Sequence, residues 1–224
     1  MYKHVIFDCF GTLIDTGNSS IAAVEKILSH VNLQTDSQTF YVEWKLVKQR
    51  MMASPEFFCE KELFRRSLEE MFIKYRVDAD AAIEVKPMIE ILFANRKMFP
   101  DTGNALHMLQ QLGVDCVIGS NTDTDSITYF LNENKLSVSK VFTSEDMKVY
   151  KPKPQFYDTI LKQTGWDKEE CLFVGDNLID DVYGPQSIGM KAVLVDRKKM
   201  YSNESKIYPD YIVNSLEELL NYIS

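Results

Sequence analysis

Four polar residues lie at the ends of apolar segments or turns, where a catalytic site of an α/β protein is expected. Asp8, Ser120 and Asp176 come at the ends of three apolar segments, and Lys151 begins the turn 151–154. Two carboxylates, a hydroxyl and an ammonium group suit an anionic substrate that is bound together with a divalent cation. Carboxylates supply hard oxygen ligands to magnesium, and lysine and hydroxyl groups bind substrate oxygens. The set therefore predicts a site for a small anionic substrate and a divalent cation.

Each residue has a structural alternative. Asp8 also suits a turn, Ser120 a helix cap, and Lys151 the surface before a proline. The acidic residues near the third segment are harder to explain structurally, because acids this close repel one another unless a cation or base balances them. They are Asp176, Asp180 and Asp181.

The elements that must position these residues are short apolar strands separated by helices. Continuous apolar runs occur at 5–7, 114–119, 171–174 and 192–195, and segments with helical spacing, such as 105–112 and 156–161, precede the later ones. This alternation predicts an α/β fold with a parallel sheet and right-handed crossovers. Ligands of such sheets bind beyond the carboxyl ends of the strands.

Residues 16–97 interrupt this alternation. Helix-like patterns cover 21–30, 40–52, 60–75 and 79–93, with no convincing strand among them. We therefore predict a catalytic core made of residues 1–15 and 98–224, with a helical cap, 16–97, inserted into it.

The charge of the chain restricts the classes of molecule that it is expected to bind. The 224 residues carry 33 acidic and 25 basic side chains, a formal charge of −8. This excess disfavours nucleic acids and anionic membranes. The sequence has no signal-peptide pattern and no apolar run long enough to span a bilayer, which predicts a cytoplasmic protein. The basic run Arg197–Lys199 favours a solvated loop over an anion site. Oligomeric state is not predicted.

Four segments resemble, in order and spacing, the motifs of the haloacid dehalogenase-like hydrolases, in the subfamily with a helical cap after the first motif. The resemblance extends from residue 1 to the end of the chain and implies a Rossmann-like core with a helical cap. The four segments are Phe7–Asp15, Gly119–Asn121, Val149–Pro154 and Phe173–Asp181.

The resemblance also implies roles for individual residues. Asp8 would be the nucleophile that forms an aspartyl-enzyme intermediate, and a carboxylate needs no base to activate it. Lys151 would neutralise charge between the nucleophile and the substrate, and Ser120 with the Asn121 backbone would bind substrate oxygens. Magnesium would be held by Asp8, the Phe10 carbonyl and Asp176, with support from Asp181.

Phe10 departs from the phosphatase pattern, which has an aspartate there to protonate the leaving group and activate water. General acid–base catalysis contributes about 10²–10⁴-fold, so turnover of phosphate esters should be weak. An aromatic residue at this position is typical of the 2-haloacid dehalogenases, which lack the acid pair Asp176 and Asp181. The acidic cluster favours a magnesium-dependent phosphohydrolase acting on a small phosphorylated metabolite.

Two alternatives stay open. One is a metal-independent dehalogenase, in which Asp8 attacks carbon and an arginine such as Arg50 binds a carboxylate. The other is a phosphate-binding protein in which Phe10 has impaired turnover.

Overall fold

The computed structural model describes residues 2–94, 97–202 and 204–223. The chain divides into two compact units. The first unit comprises residues 1–15, 97–121 and 131–224, and the second comprises 16–96 and 122–130. The second unit thus includes a segment, 122–130, that the predicted boundaries assign to the core. The interpretation of these units as a core and a cap stays a prediction.

Within the described residues, the first unit contains one parallel sheet of six strands. Their order across the sheet is β3-β2-β1-β4-β5-β6. Because β1 lies at the centre, both neighbours cover its backbone, and Val5 to Phe7 are fully buried. The strands are β1 (His4–Phe7), β2 (Asp115–Ser120), β3 (Lys140–Thr143), β4 (Cys171–Gly175), β5 (Lys191–Val195) and β6 (Tyr211–Val213).

Helices connect the strands from β1 to β5, as the alternating pattern predicts. Helix α9 begins at Pro154, where a missing N–H costs nothing, and ends at Thr164, directly before Gly165 in the left-handed conformation. Side chains of β4 and α9 pack together, with Tyr157 edge-on to Phe173. The helices whose residues lie wholly in this unit are α6 (Thr102–Gln111), α8 (Ser144–Met147), α9 (Pro154–Thr164), α10 (Gly184–Gln186) and α11 (Leu220–Ile223), with a π-helix at Leu178–Tyr183 and 3₁₀ turns at Lys168–Glu170 and Leu216–Leu219.

The second unit is helical and has its own apolar core. Phe40 and Trp44 lie in this core, and the Trp44 indole donates to the buried Ser67 hydroxyl at 2.6 Å. Asp123 accepts hydrogen bonds from the backbone N–H groups of Glu60 (2.6 Å) and Lys61 (3.2 Å). These N–H groups lie in the first turn of a helix and have no acceptor within it, so Asp123 supplies one from a distant part of the sequence. The elements are α1 (Ser19–His30), α2 (Ser37–Ala53), α3 (Glu60–Tyr75), α4 (Ala81–Glu84), α5 (Lys86–Glu90) and a 3₁₀ turn at Ile91–Phe93, together with the first part of α7 (Thr124–Glu133).

Three local predictions differ from the structure. The segment 79–93, predicted as one helix, consists of α4, α5 and a 3₁₀ turn, and Pro87 lies in the first turn of α5, where it cannot continue a preceding helix. Strands β3 and β6 were not predicted, because β3 has only two apolar residues between Lys140 and Thr143 and β6 has only three residues in all.

Candidate active site

Lys151 is the centre of a buried charge cluster at the carboxyl ends of β1, β2 and β4. Its ammonium group donates to Asp8 Oδ1 at 2.8 Å, to Asp181 Oδ1 at 2.7 Å and to the Gly119 carbonyl at 3.1 Å. The Lys151 side chain is 2% exposed. All three of its protons therefore have acceptors, and the lysine joins three segments of the candidate site.

The backbone of Lys151 is fixed by Asn121. The Asn121 side chain accepts from the Lys151 N–H at 2.8 Å and donates to the Lys151 carbonyl at 3.2 Å. Its amide nitrogen also lies 3.4 Å from Asp180 Oδ2. Sequence reasoning assigned Asn121 only a backbone role toward substrate, so this use of its side chain was missed.

Asp181 is held through both carboxylate oxygens. Oδ1 accepts from Lys151, and Oδ2 accepts from the Asn177 N–H at 2.9 Å. Asn177 in turn caps the π-helix, because its side chain accepts from the N–H groups of Ile179 and Asp180. A Cβ at Gly175 would lie 2.3 Å from Asp181 Cγ, so glycine is required for this approach.

Asp176 faces the loop that follows β1. The Thr12 hydroxyl donates to Asp176 Oδ1 at 3.2 Å. Gly11 has φ +101°, and a Cβ there would lie 2.5 Å from Asp176 Oδ2. A glycine at this position thus permits both the left-handed turn and the close approach of the carboxylate.

Electrostatics of the cluster follow from burial and proximity. Burial lowers the pKa of Lys151, but the carboxylates of Asp181 and Asp8 outweigh this effect and hold the pKa well above its usual value. Burial raises the pKa of Asp181, with Lys151 acting in the opposite direction. Asp176 keeps solvent contact, yet crowding by protein atoms, and then the charge of Asp8, raise its pKa to about 6.

The donor set fits a divalent cation. One carboxylate oxygen from each of Asp8, Asp176 and Asp181 lies within 4.8 Å of the others. These are hard oxygen donors of the kind that magnesium takes, and three carboxylates face one ammonium group, which leaves an excess of negative charge.

The remaining predicted site residues lie close by in the first unit. Ser120 is the last residue of β2 and is buried. Phe10 is half-buried and forms an isolated bridge with Ile14. The structure thus brings Asp8, Lys151 and Asp181 into direct contact. The basic run 197–199 lies in a loop in which Lys198 and Lys199 are exposed, as predicted, whereas Arg197 is only partly exposed. Arg197 forms an ion pair with Asp101 at 2.8 Å, and its side chain is only 17% exposed.

Comparisons with known proteins agree with this architecture. A family model described as haloacid dehalogenase-like hydrolase matches residues 2–189. A glyceraldehyde 3-phosphate phosphatase of Pyrococcus abyssi is 30% identical over 202 residues, 86% of this chain and 81% of the relative. An (S)-2-haloacid dehalogenase of Pseudomonas putida is 22% identical over 98% of this chain and 95% of the relative.

The fold is also similar to that of a solved structure, a putative HAD-hydrolase, YfnB from Bacillus subtilis, bound to magnesium. Its TM-score is 0.81 with 21% identity, over 99% of this chain and 98% of that one. The chain therefore belongs to the haloacid dehalogenase-like hydrolases and is a hydrolase with an α/β fold, which confirms the family and the fold class predicted from its motifs. Among the described residues, no helix is both long and apolar enough to cross a membrane.

Proposed function

We propose that the protein is a magnesium-dependent phosphohydrolase that acts on a small phosphorylated metabolite through Asp8. The observation that carries this proposal is the cluster of Asp8, Asp176 and Asp181 around the single ammonium group of Lys151. Such a concentration of carboxylates is costly unless a divalent cation completes the charge balance. A phosphate substrate that adds further negative charge increases this need.

The proposed cation site uses Asp8, Asp176 and the Phe10 carbonyl, and bound magnesium would neutralise the phosphate and the nucleophile. Asp181 supports this site, because both its oxygens already accept hydrogen bonds from Lys151 and Asn177. Thr12 orients Asp176 through its hydroxyl. Each carboxylate thus has a partner that fixes its direction.

In the proposed reaction an oxygen of Asp8 attacks phosphorus. A bond forms between Asp8 and the phosphoryl group while the bond to the leaving oxygen breaks, and water then hydrolyses the aspartyl phosphate. Lys151 holds Asp8 Oδ1 in place and carries the charge that the phosphate would meet. Ser120 and the Asn121 backbone, at the end of β2, are the proposed contacts for substrate oxygens.

The relatives support a phosphate substrate but leave its identity to experiment. The phosphatase relative is named for glyceraldehyde 3-phosphate, a triose phosphate, so small sugar phosphates belong in the first substrate panel. The excess of acidic residues in this chain also argues against a nucleic-acid substrate.

The test is hydrolysis of p-nitrophenyl phosphate by the full-length protein with magnesium, with chelator, and with the Asp8→Asn variant. We expect activity only for the unchanged protein with magnesium. Activity of equal size in Asp8→Asn would refute the role of Asp8, and activity that persists in chelator would refute the role of magnesium.

Phe10 supports a second candidate, a 2-haloacid dehalogenase. A halide leaves without protonation, so no acid is needed at this position. The distant dehalogenase relative is consistent with such an activity. Arg50, proposed for this alternative as a carboxylate-binding residue, pairs with Glu70 and has a side chain that is 64% exposed. Halide release from a 2-haloacid in chelator, lost in Asp8→Ala, would favour dehalogenation.

The other alternative is a phosphate-binding protein in which Phe10 has impaired turnover. Calorimetry that detects binding of a phosphorylated ligand, with no product formed over hours, would favour this alternative.

A further inference from the structure

Arg197 is the one member of the basic run 197–199 that the fold draws inward. Its two terminal nitrogens donate to the carboxylate of Asp101 at 2.8 and 3.0 Å, and its guanidinium lies 3.9 Å from the centre of the Phe99 ring. Lys198 and Lys199 are exposed. The pair of parallel hydrogen bonds fixes the plane of the guanidinium as well as its position.

Asp101 also accepts hydrogen bonds from residues 215 and 216. Its Oδ2 accepts from the Ser215 hydroxyl at 2.9 Å and from the Leu216 N–H at 2.8 Å. Burial opposes ionisation, but Arg197 and these donors lower the pKa of Asp101. Asp101 is therefore an ionised and immobilised anchor for the arginine.

The remaining contact of Arg197 reaches the loop that carries the candidate nucleophile. Its Nη2 donates to the Thr12 carbonyl at 2.9 Å, and the Thr12 hydroxyl donates to Asp176. The next carbonyl, of Leu13, accepts from the Thr102 hydroxyl at 2.8 Å and from the Phe99 N–H at 3.0 Å. Hydrogen bonds from Arg197 and from residues 99 and 102 thus fix two successive carbonyls of this loop.

We infer that Arg197 is a positioning residue: anchored by Asp101, it fixes Thr12 and thereby the orientation of Asp176 in the candidate metal site. The inference rests on the proposed function, because its consequence is metal binding at Asp176. Arginine suits this task, since its planar group can donate to both oxygens of Asp101 and to a carbonyl while it stacks on Phe99. A lysine cannot make this set of contacts.

The test compares Arg197→Met with Lys198→Met, a matched loss of charge at the adjacent exposed position. Titration calorimetry with magnesium alone is the first measurement. We expect affinity to fall about 10-fold or more in Arg197→Met, as for other residues that orient metal ligands, and to change less than about 2-fold in Lys198→Met. Equal affinity in both variants would overturn the inference.

A double-mutant cycle with Thr12→Val tests the route through Thr12, because valine lacks the hydroxyl that bonds Asp176. We expect Arg197→Met to weaken magnesium binding much less in the Thr12→Val background than alone. Additive losses would mean that Arg197 does not act through Thr12. If Arg197→Met is poorly folded, Arg197→Met combined with Asp101→Asn removes the unpaired buried carboxylate and still lacks the Thr12 contact.

Hydrogen exchange of the peptide spanning residues 8–15, measured in chelator, separates this inference from the proposed function. We expect faster exchange in Arg197→Met than in Lys198→Met. Faster exchange with no magnesium binding by the unchanged protein would refute the metal site but retain loop positioning. Magnesium binding and phosphatase activity with unchanged exchange would refute positioning and retain the proposed function.

Discussion

Replacing Lys151 by methionine should destabilise the metal-free protein strongly. The side chain is 2% exposed and forms two ion pairs, at 2.8 Å with Asp8 and 2.7 Å with Asp181. Methionine has a comparable length but leaves both buried carboxylates without their cation. Removing one partner from a buried ion pair costs about 3–5 kcal/mol, and for a chain of this size about 2–4 °C of melting temperature accompanies each kcal/mol. We therefore expect the melting temperature to fall by about 6–20 °C.

The pH dependence of this loss has a definite sign. Burial raises the pKa of Asp181, and Lys151 opposes that rise, so removing the lysine raises the pKa further. A carboxyl group whose pKa is higher in the folded than in the unfolded state favours folding at low pH, and this contribution is lost as pH rises through the folded-state pKa. The deficit of Lys151→Met relative to the unchanged protein should therefore grow from pH 5 to pH 8.

Thermal denaturation in chelator measures the fall in melting temperature, and chemical denaturation between pH 5 and pH 8 measures how the deficit grows. Lys162→Met provides the control for both. Lys162 lies exposed on α9, so its replacement should change the free energy of unfolding by no more than about 0.5 kcal/mol. If Lys151→Met costs as little as this control, or if its deficit does not depend on pH, the described charge cluster does not exist in the folded protein.

Three further substitutions test single features of the site. Asp176→Asn should stabilise the metal-free protein by about 1 kcal/mol at pH 7.5, because the pKa of Asp176 is raised to about 6 but solvent screens it, and the gain should vanish near pH 4 in denaturation experiments. Gly11→Ala should weaken magnesium binding and phosphatase activity at least about 10-fold, since its Cβ would lie 2.5 Å from Asp176; Gly113→Ala, with φ +74° and open space, should not. Phe10→Asp should raise kcat/KM for alkyl phosphates more than for aryl phosphates, because only alkyl leaving groups need an acid; an unchanged ratio of the two, as expected for Phe10→Leu, would contradict a missing general acid at position 10.

The central strands, and the charged residues that follow them, could be predicted from the sequence. Continuous apolar runs predicted β1, β2, β4 and β5, and polar residues at the ends of parallel strands meet by geometry. Asp8 and Lys151 are 143 positions apart in the chain, yet their contact follows from this rule once each is placed at the correct edge of the sheet.

Residues that act through backbone groups were not predictable in the same way. Arg197 donates to the Thr12 carbonyl, and Asn177 donates its own backbone N–H to Asp181. Thr12 links the first of these contacts to the site through its hydroxyl, which donates to Asp176. Backbone groups are the same in every residue type, so the sequence pattern does not reveal such contacts. Arg197 and the Thr12 carbonyl are 185 positions apart, and local composition favours a solvated loop for the arginine. The segment 122–130 was missed for the same reason, because Asp123 caps α3 across 63 positions.

Phe10 affects two steps of the proposed reaction, and together they predict a kinetic signature. A phenyl ring cannot protonate the leaving group, which matters little for p-nitrophenolate, and it cannot activate the water that attacks the aspartyl phosphate. Hydrolysis of the intermediate should then limit turnover of aryl phosphates. Rapid mixing with p-nitrophenyl phosphate should release a burst of p-nitrophenol, stoichiometric with enzyme, before a slower steady rate. Phe10→Asp should abolish the burst by accelerating the second step. A linear time course in the unchanged enzyme would refute the prediction that hydrolysis of the intermediate limits turnover of aryl phosphates.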